Sequence, residues 1–304
     1  MVENEISRLA QELGFDQVGI CSANEPFAGQ EFYSKWLNRG HHAGMGYLAR
    51  QAELKSSLEN VLPRAKSAVV VGLNYAQPNP SRPGYPRIAR YALGRDYHRV
   101  MRRRLATLAK RLSPLIPEAK FRACVDSAPI FERELANRAG LGWFGKNSML
   151  INSKKGSYFL IGVLLTDAAL SPTTPAQGGC GTCEKCIEAC PTGAIVKTDD
   201  RWNIDSRKCL SYWTIEASED PPSDLNKAGW NFGCDICQEV CPFNEQRESQ
   251  PERAKTTTDP DFLPTTLPPT LEEIRNMTQE DWDKWTLGRA IRRPGYEGWK
   301  RNVK

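Results

Sequence analysis

The chain has 304 residues, of which 25% are charged and 40% hydrophobic, and a formal net charge of +5. These proportions describe a folded globular protein of about two domains and exclude disordered and collagen-like classes. No apolar run is long enough to cross a bilayer, so no membrane partner is expected. The charge excess is too mild to demand a nucleic-acid partner without a local cluster of basic residues.

Taken in chain order, Ile6, Leu9, Ala10 and Leu13 recur at helical spacing and predict a helix over 2–13. That start has neither the apolar core of a signal peptide nor a twin-arginine motif, so a cytoplasmic protein is expected. A strand follows over Phe15–Cys21, then a helix near 28–39. Ser67–Tyr75 is a valine-rich run that predicts a buried strand, ended by the Pro/Asn/Gly stretch 78–86. Asp96 caps a helix that runs to about Leu112. Phe121–Val125 predicts a strand, and Pro129 opens a helix that Gly140 ends. Ser148–Asn152 and Ser157–Thr166 predict two strands of a hairpin turning at Ser153–Gly156. The fold class expected is α+β. Residues 1–170 form a mixed α/β domain, 171–250 a ferredoxin-like domain, and 251–304 a linker and short helical tail. The tail holds a capping box at Thr270 and Glu273, a helix near 279–287, and six basic residues over 289–304.

Eight of the ten cysteines fall between 180 and 241. Cys180-x2-Cys183-x2-Cys186-x3-Cys190-Pro191 is the run of two-cluster ferredoxins, in which the fourth cysteine serves the other cluster. The second run, Cys234-x2-Cys237-x3-Cys241-Pro242, has Asn231 where its first cysteine would fall, and Cys209 is the thiol left to replace it. The crossed rule gives Cys180, Cys183, Cys186 and Cys241 to one 4Fe–4S cluster. It gives Cys190, Cys209, Cys234 and Cys237 to the other. Zinc also uses CxxC pairs, and exported chains pair cysteines as disulfides. Successive x2 spacings followed by x3 and Cys-Pro, twice over, favour iron–sulfur clusters in a reducing compartment.

Two clusters move single electrons and need a second centre or an acceptor. No dinucleotide or P-loop fingerprint is present. Asp96-x-His98 approaches the DxHxxG signature of cobalamin proteins, but Met101 replaces its glycine. A helix cap followed by a first-turn histidine is the reading favoured there. With only His41, His42 and His98, a histidine-ligated metal is not expected. Asp126 ends a strand, where a carboxyl group faces a cleft and burial raises its pKa toward that of a proton donor. A helix cap is the alternative. Arg99, Arg102, Arg103, Arg104, Lys110 and Arg111 load one helix. With Arg289, Arg292, Arg293, Lys300, Arg301 and Lys304 they are candidate phosphate contacts, and Tyr212, Trp213 and Trp230 are candidate base-stacking groups. Solvated basic faces and core aromatics are the alternative.

Val125-Asp126-Ser-Ala-Pro with Glu132-Arg133, then Ala139-Gly-Leu-Gly-Trp-Phe-Gly-Lys-Asn-Ser148, resembles the epoxyqueuosine reductase family. So do Tyr91–His98, Gly233–Gln238 and the two cysteine runs. The resemblance covers nearly the whole chain. It implies cobalamin bound in the N-terminal domain with no histidine below cobalt, clusters that feed electrons to it, and a tRNA anticodon stem-loop carrying epoxyqueuosine as substrate. It implies an external low-potential electron donor, a monomer, and Asp126 as the proton donor. Cobalamin contacts implied are Lys55, Ala89, Asp126, Arg133, Asn147, Leu150, Ile151, Asn152, Ile161, Ser211 and Asp235. Two other readings use the same cofactor chemistry in part: a reductive dehalogenase-like enzyme, and a ferredoxin with an appended binding domain.

Overall fold

The computed structural model of the chain describes residues 2–79, 82–264 and 266–304. In chain order its helices are α1 Val2–Glu12, α2 Gln30–Asn38, α3 Gly46–Arg50, α4 Tyr97–Leu112, α5 Glu132–Arg138, α6 Lys185–Glu188, α7 Ile236–Glu239, α8 Leu271–Asn276, α9 Gln279–Thr286 and α10 Gly295–Asn302. The strands are β1 Gln17–Ser22, β2 Ser67–Asn74, β3 Arg87–Ile88, β4 Phe121–Cys124, β5 Trp143–Phe144, β6 Leu150–Ile151, β7 Phe159–Thr166, β8 Ile195–Thr198, β9 Arg201–Ile204 and β10 Trp230–Phe232.

The central sheet has the order β1-β2-β7-β4, and every pairing in it is antiparallel. The alternation along β2 explains how both faces are covered. Val69, Val71 and Leu73 meet α1 and α4 through Ile6, Leu9, Leu105 and Leu108. Ala68 and Val70 meet α5 on the other face through Leu135 and Ala136. This arrangement is α+β, as expected.

Two local expectations change, and one pairing was not foreseen. The hairpin across Ser153–Gly156 does not form. Leu150–Ile151 pairs with Trp143–Phe144, while β7 is captured between β2 and β4, and only the Asn152–Gly156 bridge remains. β7 is buried along most of its length, and two strand neighbours satisfy more of its backbone than a short hairpin would. The helix after Pro129 begins at Glu132, because the chain first makes a turn at Asp126 with φ of 49°. The parallel β3–β10 pair, which joins sequence-distant segments, has no periodic signal long enough to read.

The tail is not an appendage. Ile274, Trp282, Ile291, Trp299 and Val303 share one core with Ile88, Leu93 and Phe232. The capping box at Thr270 and Glu273 is present. Asn231, in the place of the missing cysteine, donates from Nδ2 to the Asn302 carbonyl at 3.0 Å, and its Oδ1 accepts the Arg87 amide at 3.0 Å. Asn302 returns a bond to the Asn231 carbonyl at 2.9 Å. The residue that breaks the second cysteine run therefore stitches β10 to the tail.

Candidate active site and cluster-binding segment

A cleft of about 1640 Å³ opens between the sheet domain, the cysteine segment and the tail. Pockets for drug-sized ligands measure about 300–1,000 Å³, so this one has room for a larger cofactor with a substrate group beside it. Tyr33, Trp36 and Tyr47 line it with aromatic rings, and Cys180 and Cys209 also reach it.

At the cleft wall, α4 begins. Asp96 caps it by accepting the His98 amide at 3.0 Å, as the sequence suggests. The cap also holds the imidazole: His98 Nδ1 lies 2.7 Å from Asp96 Oδ1, and His98 Nε2 lies 3.0 Å from Asp126 Oδ2. Tyr97 stacks on His98 with ring centroids 3.9 Å apart. Burial pulls the His98 pKa down, but the hydrogen bonds and charges of Asp126 and Asp96 outweigh it and push the pKa up to about 9. His98 is therefore an imidazolium at neutral pH, with both nitrogens donating and no lone pair for a metal.

The expectation for Asp126 is corrected. The side chain is 58% exposed to the open cleft, and the protein on its other sides raises its pKa, but the His98 hydrogen bond and charge, Arg293 and Tyr97 prevail, and the carboxyl titrates below its usual range. The proton of this site resides on the imidazole between two carboxylates. Glu132 behaves oppositely: burial and the neighbouring Asp126 charge push it up to about 8. Glu132 is half-buried and Arg133 is open to the cleft lumen, although protein surrounds both on their other sides. Water in the lumen weakens such shifts and a ligand filling it restores them.

Of the residues implied for cobalamin, Lys55, Asp126, Arg133 and Ser211 line the cleft. Lys55 lies over the rings of Tyr33 and Phe131 at 5.3 and 5.7 Å, and burial holds its pKa below the lysine range. Arg133 donates to the Ser148 carbonyl. The others stand behind the wall. Ala89 is buried with its amide on the Phe232 carbonyl. Leu150 and Ile151 are buried in β6, and Ile161 pairs with Gly72. Asn152 donates to the Gln17 side chain and the Leu141 carbonyl. Asn147 is buried and donates to the Cys237 carbonyl at 3.2 Å. Asp235 is buried in an ion pair with Arg90 at 3.1 Å.

The thiols group by mutual proximity. Burial is the largest cause of each raised pKa, and neighbouring thiols add to it. Cys186, pushed up to about 11, feels Cys180, Cys241 and Cys183, and Cys241 feels Cys180 and Cys183. Cys234, pushed up to about 12, feels Cys209 and Cys190, and Cys237 feels Cys234 and Cys209. Cys237 also feels Cys186, so the two groups abut. Among the described residues no three His, Cys, Asp or Glu side chains close tightly enough to hold a single ion. Eight half-buried or buried thiols in two groups of four suit iron–sulfur coordination, which supplies the positive charge that lets thiolates persist there.

The basic and aromatic candidates divide. Arg104 is held by Asp259 and Asp261 at 2.6 and 3.1 Å, Arg103 by Asp261, and Arg111 by Glu12. Arg99 and Arg102 face the cleft. Arg292 pairs with Asp283, and Arg301 donates to the Glu219 and Ala217 carbonyls. Arg293 binds Glu216 through two bonds of 3.1 and 2.9 Å and reaches the cleft. Tyr212, Trp213 and Trp230 are buried, so base stacking by them is corrected to a packing role. Phe144, 49% exposed, joins Tyr33, Trp36 and Tyr47 among the aromatics that line the cleft, none of which was a sequence candidate for base stacking.

A family model described as "Epoxyqueuosine reductase QueG, DUF1730" matches residues 55–127, and one for a 4Fe–4S double cluster binding domain matches residues 179–244. The epoxyqueuosine reductase of Synechococcus sp. strain RCC307 is 39% identical over 303 residues, spanning 98% of this chain and 91% of that protein. The chain belongs to the epoxyqueuosine reductase family. The Escherichia coli K12 member is 39% identical over 309 residues, covering 98% of this chain and 79% of its own length. The family's enzymes are oxidoreductases. A crystal structure of an epoxyqueuosine reductase with a tRNA-Tyr epoxyqueuosine-modified stem loop superposes with a TM-score of 0.85 at 25% identity, covering 99% of this chain and 80% of that one. A catabolic reductive dehalogenase, at a TM-score of 0.50 and 20% identity over 82% of this chain and 32% of its own, shares the fold alone. No described helix is long and apolar enough to cross a membrane.

Proposed function

We propose that the chain reduces the epoxide of epoxyqueuosine in a tRNA anticodon stem-loop to queuosine, with cobalamin held in the cleft beside two 4Fe–4S clusters. Residues 1–170 serve as the cobalamin-binding catalytic unit, 171–250 as the cluster-binding unit and 251–304 as the tail that closes the cleft. The observation that carries this reading is the Asp96–His98–Asp126 relay, which opens onto a cleft that Cys180 and Cys209 also reach.

The overall reaction takes two electrons and two protons, replaces the epoxide with a carbon–carbon double bond, and releases its oxygen as water. When bound, cobalamin and the clusters supply the electrons. Cys180, Cys183, Cys186 and Cys241 hold one cluster, and Cys190, Cys209, Cys234 and Cys237 the other. Lys55, Arg133 and Ser211, which line the cleft, would hold the polar groups of the corrinoid, and Tyr33 and Trp36 would supply apolar contact to it. The remaining implied contacts, Ala89, Asn147, Leu150, Ile151, Asn152, Ile161 and Asp235, hold the wall in shape from behind. Asp126 is the acid that faces the leaving oxygen, and His98 supplies its proton, because the imidazole is the group of the pair that carries one at neutral pH. Arg99 and Arg102 meet the RNA backbone, where phosphate contacts set orientation. An external low-potential donor, acting on a monomer in the cytoplasm, completes the cycle.

Protein purified without oxygen and loaded with both cofactors tests the reading. It should carry about eight irons as two cubanes and a corrinoid. Asp126→Asn should keep both and lose about 10²–10⁴-fold in rate. Failure to bind any corrinoid would leave an electron-transfer protein in its place.

A further inference from the structure

Asp126 can face His98 only if its own turn is held. Its φ of 49° lies in the left-handed region, which a residue with a Cβ adopts at a cost of about 1–3 kcal/mol unless its surroundings impose it. The segment after it offers little help. Ser127 is exposed, Pro129 has no amide, and the next regular turn begins at α5. Two side chains reach in. Glu132 Oε1 accepts the Asp126 amide at 2.5 Å, and Arg102 Nη2 donates to Ser127 Oγ at 2.8 Å.

These tethers are not equivalent. Arg102 comes from the open cleft wall and makes one bond to an exposed hydroxyl. Glu132 comes from the first residue of α5, a helix whose Leu135 and Ala136 are fixed in the core under the sheet. It takes the amide of the very residue that faces the imidazole. We infer that Glu132 is a positioning residue for the reaction: by holding the Asp126 amide it fixes the left-handed turn and aims the carboxylate at His98. The inference rests on the reading of Asp126 and His98 as the proton-delivering pair.

The hydrogen-bond partners of the imidazole are Asp96 and Asp126, and Glu132 bonds the Asp126 amide instead of either carboxylate or the ring. Lys55, Arg133 and Asp126 are the charged groups around it, and Tyr97 and Cys124 lie near enough to feel its charge. Its raised pKa means that a neutral side chain can fill its place at neutral pH. The bond to the amide needs an oxygen acceptor and not a charge. A glutamine provides that oxygen, and an alanine does not.

The test uses cofactor-loaded enzyme, an epoxyqueuosine-modified stem-loop, and hydrogen exchange at the Asp126 amide. Glu132→Ala should expose that amide to exchange and lower kcat by about 10²-fold, the scale of a misplaced catalytic group, with KM for the stem-loop unchanged. Glu132→Gln should restore both the protection and most of the rate. Protection and kcat that survive in Glu132→Ala would overturn the inference. So would equal damage in the alanine and glutamine variants accompanied by a lowered melting temperature, which marks a scaffold role. Should Asp126→Asn keep full activity while Glu132→Ala frees the amide, the acid assignment fails and the turn-holding role stands.

Discussion

A histidine held between two carboxylates changes what either carboxylate can do. Asp126 alone, at the mouth of a cleft, would be a plausible acid with a raised pKa. Paired with His98 it becomes the anionic half of an ion pair, and the proton sits on the ring. The pH dependence follows. His98 has a folded pKa near 9 against an ordinary 6.5, so its pairing contributes stability fully below pH 6.5 and loses it as pH rises through about 9. Activity should hold through neutral pH and decline above about 9. Asp96→Asn removes one of the two carboxylates that raise the His98 pKa, so the alkaline decline of kcat should move to lower pH without loss of stem-loop affinity. The position of Asp126 was legible in the sequence, because a hydrophobic strand running into an acid and a proline marks a strand end. The role of His98 was not. Asp96-x-His98 satisfies a helix cap by itself, and nothing local tells that β4 will bring a second carboxylate to the other ring nitrogen.

At the level of elements, close approach is what the sheet demands. A Cβ on Gly19 in β1 would stand 1.9 Å from the Ala139 carbonyl oxygen, which is backbone and cannot swing away. Gly19→Ala should therefore destabilise the protein by at least the about 1–3 kcal/mol of ordinary overpacking, read from denaturant unfolding. The junction between the sheet domain and the cysteine segment depends on charge. Arg90 lies 12% exposed between Asp235 and Glu239, at 3.1 and 2.8 Å, with Asp235 2% exposed. Arg90→Met leaves the buried Asp235 without its ion-pair partner, while Glu239 keeps Arg87 at 3.0 Å, and should cost about 3–5 kcal/mol. Long periodic elements such as α1, β2 and α4 were readable because each buries a face at its own period. β3, β5 and β10, two or three residues each, were not, and β6 was read as a strand, within Ser148–Asn152, but with the wrong partner. The β3–β10 pairing is set by segments distant in the chain, and the wrong hairpin across Ser153–Gly156 arose where a good turn sequence lost to a better-buried neighbour.

For the molecule as a whole, the cysteine spacing was the most legible feature, since ligand geometry is written locally into the chain. The basic surface was the least. Six cations on α4 look alike in sequence, yet Asp259, Asp261 and Glu12 engage three of them, and Arg99 and Arg102 face the cleft. Arg102→Ala should weaken stem-loop binding and lower the salt slope of log K by about 1, while Arg104→Ala should chiefly lower stability. The displacement of the second run's first cysteine to Cys209 leaves Asn231 free to join β10 to the tail, and the tail in turn brings Arg293 to the cleft. The cysteine segment, the cleft and the tail are thus built as one site. The most direct measurement is nucleoside analysis of an epoxyqueuosine-modified anticodon stem-loop after anaerobic incubation with the fully loaded protein and a strong reductant. The account predicts conversion to queuosine by loss of one oxygen atom, strongly slowed in both Asp126→Asn and His98→Gln. An unchanged epoxide with the loaded wild-type protein, or full conversion by both variants, would contradict it.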